Sequence, residues 1–447
     1  MKTSKKINLN ALQTLALGFS LIILIGSVLL FLPIANKSTA SISYLNALFT
    51  SASATCVTGL AVYDIYSQFT LFGQIVILIL IQIGGLGFMT IAVMISMFLG
   101  RKIGLKERIN LMEAVNSMQI GGIVRMAKRI LIITAVFEIV GAGLLSIRFI
   151  PEFGLGQGLW FSLFHSVSAF CNAGFDLMGI ISPSVSLSPF IGDALVNLVV
   201  IVLMVVGGIG FIVWNDIAEY RFQIRKYRLH SKIVLSATLV LIFVSTIAFC
   251  LLEWHQAYAG LATGEKLLAS LFSAVTARTT GFFTVQIPSM SEAGSILTMI
   301  LMLIGAGPGS TAGGIKITTI AVIFLSTIGY IKGSDDINIF GRRIDQANVR
   351  HAFNMAFLYI LIATIGGFII IIIQNANLHD VMFEVFSAIG TTGLSRGLTN
   401  SLLPPSKIVI ILLMYSGRVG SMSIAMAFIE KKHADSLRNP QEKVIIG

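Results

Sequence analysis

Apolar stretches alternate with short polar connections along the whole chain. Runs long enough to cross a bilayer, about 20 residues each, fall at 12–34, 70–99, 130–149, 192–214, 233–252, 294–328, 353–375 and 405–429. The first run follows Met1-Lys2 but is too long for a signal peptide and lacks a small-x-small cleavage site, so it reads as a span. Every second gap is basic. The gaps 35–69, 150–191, 253–293 and 376–404 are different: each holds a half-apolar segment of about 10–14 residues, too short to span and of the length of a re-entrant helix.

Composition agrees with a membrane location. Of 447 residues, 55% are apolar and only 11% charged, under half the charge a water-soluble chain carries. The net charge of +11 is not a nucleic-acid footprint, because 23 of the 31 Lys and Arg sit in five blocks: the N-terminus, three alternate connections and the C-terminal tail. By the positive-inside rule those blocks, and both termini, face the cytoplasm. The three cysteines, Cys56, Cys171 and Cys250, form neither a disulfide framework nor a CxxC site.

Aligned on a glycine, the four outer gaps form an internal repeat. The segments NALFTSASATCVTGL, LWFSLFHSVSAFCNAGF, LLASLFSAVTARTTGF and DVMFEVFSAIGTTGL all end in Gly-Leu or Gly-Phe, at Gly59, Gly174, Gly281 and Gly393. Ten residues earlier stand Phe49, Phe164, Leu271 and Phe383, and small residues such as Ser53, Ala54, Ser168, Ala169, Ser387 and Ala388 come between. The unit is span, short helix, glycine segment, span. The expected fold is therefore an all-α integral membrane protein of four such repeats in pseudo-fourfold arrangement around one pore, with eight transmembrane and four re-entrant helices. Expected boundaries are 1–100, 101–215, 216–330 and 331–429, with a cytoplasmic tail at 430–447.

The glycine pattern suits cation chemistry. A dehydrated cation needs oxygens in place of its hydration shell, and a ring of backbone carbonyls supplies them without side-chain charge. Such irregular backbone is tolerated at membrane depth only where it lines a cavity or is buried in protein, and glycine reaches the positive-φ conformations it requires. The expected ion-binding positions are Val57, Thr58 and Gly59; Asn172, Ala173 and Gly174; Thr279, Thr280 and Gly281; and Thr391, Thr392 and Gly393. The short helices would point their negative C-terminal ends at the ion.

The segments CVTGL, CNAGF, RTTGF and GTTGL carry a resemblance, over essentially the whole chain, to the Trk/Ktr/HKT superfamily of potassium transporters. Each is similar to a degenerate copy of a potassium-channel filter. In that family glycine in all four repeats goes with K⁺ selectivity and serine in the first with Na⁺ permeation, so Gly59 implies K⁺. The resemblance further implies uptake at the bacterial plasma membrane, a homodimer with one pore per chain, a ring of cytosolic KtrA-type nucleotide-binding subunits, and activation by Na⁺. It implies no cofactor in this chain and no metal beyond transported K⁺. The nucleotide belongs to the partner.

The sixth run contains Gly305, Gly307, Pro308, Gly309, Gly313 and Gly314, a cluster that breaks a helix. Ser310, Thr311 and Ala312 complete a loop expected to line the pore below the glycine ring, and the resemblance implies that this loop is a gate. Arg418 stands near mid-membrane, where a charge belongs in a polar cavity, and is expected to reach loop oxygens of 309–314. Lys316 is a weaker member of the same group, able to snorkel from its end of the loop.

Other chemistry fits less well. GSTAGGIKIT fails the Walker pattern because Ile315 precedes Lys316. His165 lacks a second ligand at helical spacing and reads as a packed residue. Asp176 could concentrate cations at the outer mouth, and Arg278 is expected behind the ring, beside an acid. An intramembrane enzyme would need paired carboxylates or a nucleophile constellation, whereas Glu138 and Asp193 look isolated. A proton- or sodium-coupled symporter remains the alternative and predicts titratable groups along the pathway.

Overall fold

The computed structural model describes residues 11–37, 42–91, 104–114, 121–334, 336–420 and 442. The basic N-terminal block and the tail expected at 430–447, position 442 excepted, lie outside the described residues. Four long apolar helices cross the molecule: α1 (Ala11–Phe31), α5 (Ile123–Phe153), α9 (Leu229–Glu253) and α13 (Gln346–Ile373). Their outward faces are greasy, as Leu239, Leu251, Phe368 and Ile372 show, all well exposed. Hydrocarbon, not water, suits such a belt.

After each long helix comes a short one that ends inside the molecule: α2 (Tyr44–Thr55), α6 (Leu155–Phe170), α10 (Thr263–Thr276) and α14 (Leu378–Gly390). The closing helix of each unit starts from a clear signal. Thr70, Asp193 and Ser291 accept hydrogen bonds from backbone N–H groups of the first turn of α3 (Leu71–Leu86), α7 (Ala194–Gly208) and α11 (Glu292–Leu303), and Pro404 opens α15 (Pro404–Val419). Proline at the first helical position loses no internal hydrogen bond.

The sequence predicts eight spans with a break only in the sixth, at 305–314; that break is present, and the other closing helices differ from the expectation. Only the four opening helices are, among the described residues, continuous and long enough to cross a membrane. Within the described residues the second of each unit stops or turns at its glycines: α3 ends before Gly87, α7 turns by 96° at Gly210 into α8 (Phe211–Tyr220), α11 gives way at Ile304 to a loop that ends at α12 (Ile317–Ile331), and α15 ends before Gly420. Packing explains three of these clusters. A Cβ at Gly84, Gly207 or Gly417 would lie nearer than 3.0 Å to the carbonyl oxygen of Thr55, Phe170 or Ile389, in the last turn of the short helix of the same unit. Only glycine lets the two backbones approach so closely. The polar connections carry, among the described residues, the helix α4 (Leu105–Ala114) and an antiparallel hairpin of β1 (Asn338–Ile339) with β2 (Arg342–Arg343).

Candidate functional site

The four short helices converge. Beyond each C-terminus the chain takes a left-handed turn two residues before the glycine, at Val57 (φ +56°), Asn172 (+57°), Thr279 (+84°) and Thr391 (+50°), and again at Gly59 (+94°), Gly174 (+68°), Gly281 (+94°) and Gly393 (+88°). Thr58, Ala173, Thr280 and Thr392 between them keep negative φ. In an ordinary strand successive peptides alternate in direction, and alternating the sign of φ cancels that alternation, turning neighbouring carbonyls to one side.

The segments close on one another. A Cβ at Gly59 would meet the carbonyl oxygen of Ala173, one at Gly174 that of Thr280, one at Gly281 that of Thr392, and one at Gly393 that of Thr58, every approach nearer than 3.0 Å. The contacts run from unit one to two to three to four and back to one. This is a closed ring, and all twelve residues singled out in the sequence lie in it.

Left-handed backbone at β-branched Val57, Thr279 and Thr391 costs of order 1–3 kcal/mol per residue, so the ring has to be held from behind. Hydroxyls in the last turns of the short helices do this. Ser53 Oγ accepts from Gly59 N–H at 3.1 Å and Ser387 Oγ from Gly393 N–H at 3.0 Å, while Ser168 Oγ donates to Phe175 O at 2.7 Å and Thr276 Oγ1 to Phe282 O at 2.6 Å. The sequence marks Ser53, Ser168 and Ser387 only as small residues. Their signal is a hydroxyl five or six places before every ring glycine.

Two further side chains brace the outer end of the ring. His165 Nε2 lies 3.3 Å from Leu177 N–H and Nδ1 lies 2.7 Å from Phe161 O. At the same register in unit four, the buried Glu384 accepts from Ser395 Oγ at 2.8 Å and from Thr399. Glu384 escapes a reading of the sequence because nothing distinguishes a buried carboxyl from a surface one on a helix until its partners are placed. Asp176 lines a cavity of about 190 Å³ outside the ring with all four glycines, but its Oδ1 accepts from Met178 N–H at 2.9 Å.

Several readings of charged groups are corrected; Asp193, for one, pairs with Arg148. Glu138 is not isolated: Gln82 Nε2 donates to it at 3.3 Å, and the Cys171 thiol lies 4.0 Å away behind the second ring segment. Arg278 does lie behind the ring, beside Asn172 and Thr238 in a small crevice, but it makes no ion pair among the described residues. The segment that carries it turns backbone to the ring axis, and Arg278 shares the crevice with apolar Val275, Met204 and Ala306.

Beneath the ring lies the loop 304–316. Its ends pair, Gly305 N–H donating to Ile315 O at 2.8 Å and Ile317 N–H to Ala306 O at 3.0 Å. Its outer edge docks on the break in unit two, through Gly307 N–H to Gly208 O at 2.8 Å and Phe211 N–H to Gly309 O at 2.7 Å. Arg418 donates to the carbonyls of Thr311 and Gly84, and to Gly85 O at 3.0 Å. Lys316 does not snorkel away: its Nζ donates to Ala312 O at 2.8 Å. On the far side of the loop a second cavity, about 360 Å³, is lined by Pro308, Ser310, Gly314, Lys316 and Arg418. Ring and loop thus stand between an outer and an inner cavity.

Residues 10–439 match the TrkH family, described as cation transport proteins. The chain belongs to this family. It is 43% identical to Ktr system potassium uptake protein B of Bacillus subtilis, over 100% of this chain and 99% of the relative. It is 39% identical to potassium/sodium uptake protein NtpJ of Enterococcus hirae, again over 100% and 99%. The crystal structure of the potassium transporter TrkH from Vibrio parahaemolyticus shares the fold, with a TM-score of 0.76 at 19% identity, covering 96% of this chain and 87% of that one. This TrkH-family chain is accordingly a multi-pass membrane protein, and its family is one of transporters, not of enzymes.

Proposed function

We propose that the chain takes up K⁺ at the bacterial plasma membrane through a pore whose selectivity filter is the glycine ring. The observation that carries this reading is the closure of the four segments on one another by contacts between each glycine and the next carbonyl. Four helix C-termini converge on the ring, and their dipoles favour a cation there. The three-residue sets ending at Gly59, Gly174, Gly281 and Gly393 are the ion-binding positions. The relatives named for potassium uptake support K⁺ as the ion, and the one named for potassium and sodium supports a link to Na⁺. The span, short helix and glycine segment recur four times, which favours the repeat boundaries near 100, 215 and 330.

The loop from Gly305 to Gly314, with Lys316 and Arg418, acts as the gate: it lies between the two cavities and places two cationic side chains beneath the ring. The chain works as a homodimer on a cytosolic nucleotide-binding ring, a reading supported by its likeness to a component of a Ktr system. Exposed Arg342 and Arg343 on the hairpin offer that ring a basic contact. Both termini are cytoplasmic on the strength of the basic blocks.

Purified protein in liposomes provides the test. K⁺ influx should run down its own gradient, exceed Na⁺ influx by at least about tenfold, a difference of about 1.4 kcal/mol, and persist when a protonophore collapses the pH gradient. Uptake that stops with the proton gradient, or equal K⁺ and Na⁺ fluxes, would replace this reading with a coupled symporter or a non-selective path.

A further inference from the structure

Loop and ring share hydrogen bonds. Asn172, two residues before Gly174, donates from Nδ2 to Thr311 Oγ1 in the loop at 2.8 Å, and its Oδ1 accepts from Thr280 Oγ1 of the next ring segment at 2.9 Å. Thr311 Oγ1 in turn donates to Phe170 O, at the end of α6, at 3.1 Å. In unit four, Gly313 N–H of the loop donates to Thr391 Oγ1 at 3.1 Å, and a Cβ at Gly313 would overlap the Thr391 side chain. Asn172 and Thr391 hold the same left-handed register in units two and four. The ring order one, two, three, four places those units diagonally opposite.

The other diagonal is silent. At this register unit one has Val57, with no polar side-chain atom, and Thr279 Oγ1 of unit three has no hydrogen-bond partner among the described residues. Asparagine is suited to its place on two counts: it tolerates the left-handed conformation, and its amide offers a donor and an acceptor at once. Valine could bond neither, and threonine has a single hydroxyl oxygen, whereas the amide reaches the loop below with its nitrogen and the neighbouring segment beside it with its oxygen.

We propose that Asn172 is a positioning residue that latches the loop to the ring, so that the loop cannot withdraw without changing the ring. The proposal rests on the reading of the ring as filter and the loop as gate. Withdrawal takes the acceptor from the Asn172 amide and the donor from Thr391, in a site where a buried polar group left alone is costly. The Asn172 side chain is then held only through Thr280, and both ring segments lose a support on their inner side. Gate position and ion selectivity become one coupled property.

The test uses the full chain in liposomes without its cytosolic partner, and reads resting K⁺ flux and the K⁺/Na⁺ flux ratio for Asn172→Leu, Thr311→Val, the double variant and Thr311→Ser. Each of the first two should raise resting flux about tenfold, the scale of one lost buried hydrogen bond, and lower the flux ratio as well. The double variant should go no further than the stronger single one, and Thr311→Ser, which retains the hydroxyl, should restore both readings towards the parent. Should Asn172→Leu fail to fold, the isosteric Thr391→Val breaks the opposite latch and carries the same expectation. The proposal is overturned if Asn172→Leu moves only the ratio and Thr311→Val only the resting flux, or if the double variant shows the product of the two single effects. A shortened loop lacking residues 310–312 separates the premises: if it leaves resting flux unchanged, the gate reading fails and the latch falls with it.

Discussion

Gly281→Ser is expected to cut the K⁺/Na⁺ permeability ratio of the reconstituted protein by about 30-fold, a change of about 2 kcal/mol. Gly281 has φ +94°, where a side chain costs about 1–2 kcal/mol. Its Cβ would also press on the carbonyl oxygen of Thr392, nearer than 3.0 Å. Relief requires the third or fourth segment to move by several tenths of an ångström, and either movement displaces carbonyls from the axis. Because the ring is closed, a shift in one segment is passed to the next. Reversal potentials under mixed K⁺ and Na⁺ gradients measure the ratio. An unchanged ratio would remove the ring from its role in selectivity.

Arg418→Gln is expected to raise cation flux in the absence of the cytosolic partner by about 30-fold. A unit charge about 8 Å from a passing cation, at an effective dielectric constant of about 20, opposes it by about 2 kcal/mol. The substitution removes that opposition together with the charged donor to Thr311, Gly84 and Gly85, so the loop also loses its tie to the breaks in units one and four. Arg418→Lys keeps the charge but not the planar fork, and is expected to fall between the two. Flux in Arg418→Gln equal to the parent would show that Arg418 is a structural tether and no part of the barrier.

The four ring glycines are legible in the sequence because they occur in register four times, and repetition separates a functional glycine from one in an ordinary turn. The side chains that hold the ring are not. Ser53, Ser168, Thr276 and Ser387 use two different bonding patterns, donating in two units and accepting in the others, so no single motif marks them. Hydropathy locates the second span of every unit but sees composition rather than backbone continuity. It gives no hint that Gly84, Gly207 and Gly417 serve the close approach of a carbonyl, and only the long cluster at 305–314 announces a break.

Partners distant in sequence are hidden for the same reason. Glu138 looks isolated because Gln82 and Cys171 are 56 and 33 residues away. The acid expected near Arg278 is absent among the described residues, since that expectation rests on charge balance alone. Arg418 is read from its depth, and depth suffices: a charge at mid-membrane has few places to go, and the carbonyls of a broken helix are one. The length of the Lys316 side chain suggests snorkelling, whereas the loop turns back to offer it the Ala312 carbonyl.

The central claim is that K⁺ is held by backbone oxygens of the glycine ring, and Rb⁺, a heavier ion of similar size, tests it directly. Anomalous diffraction from crystals grown in RbCl should show density on the ring axis, level with the carbonyls of Thr58, Ala173, Thr280 and Thr392, and that density should fade when Na⁺ replaces Rb⁺. Rb⁺ density confined to the outer or inner cavity, with none on the ring axis, would contradict the account.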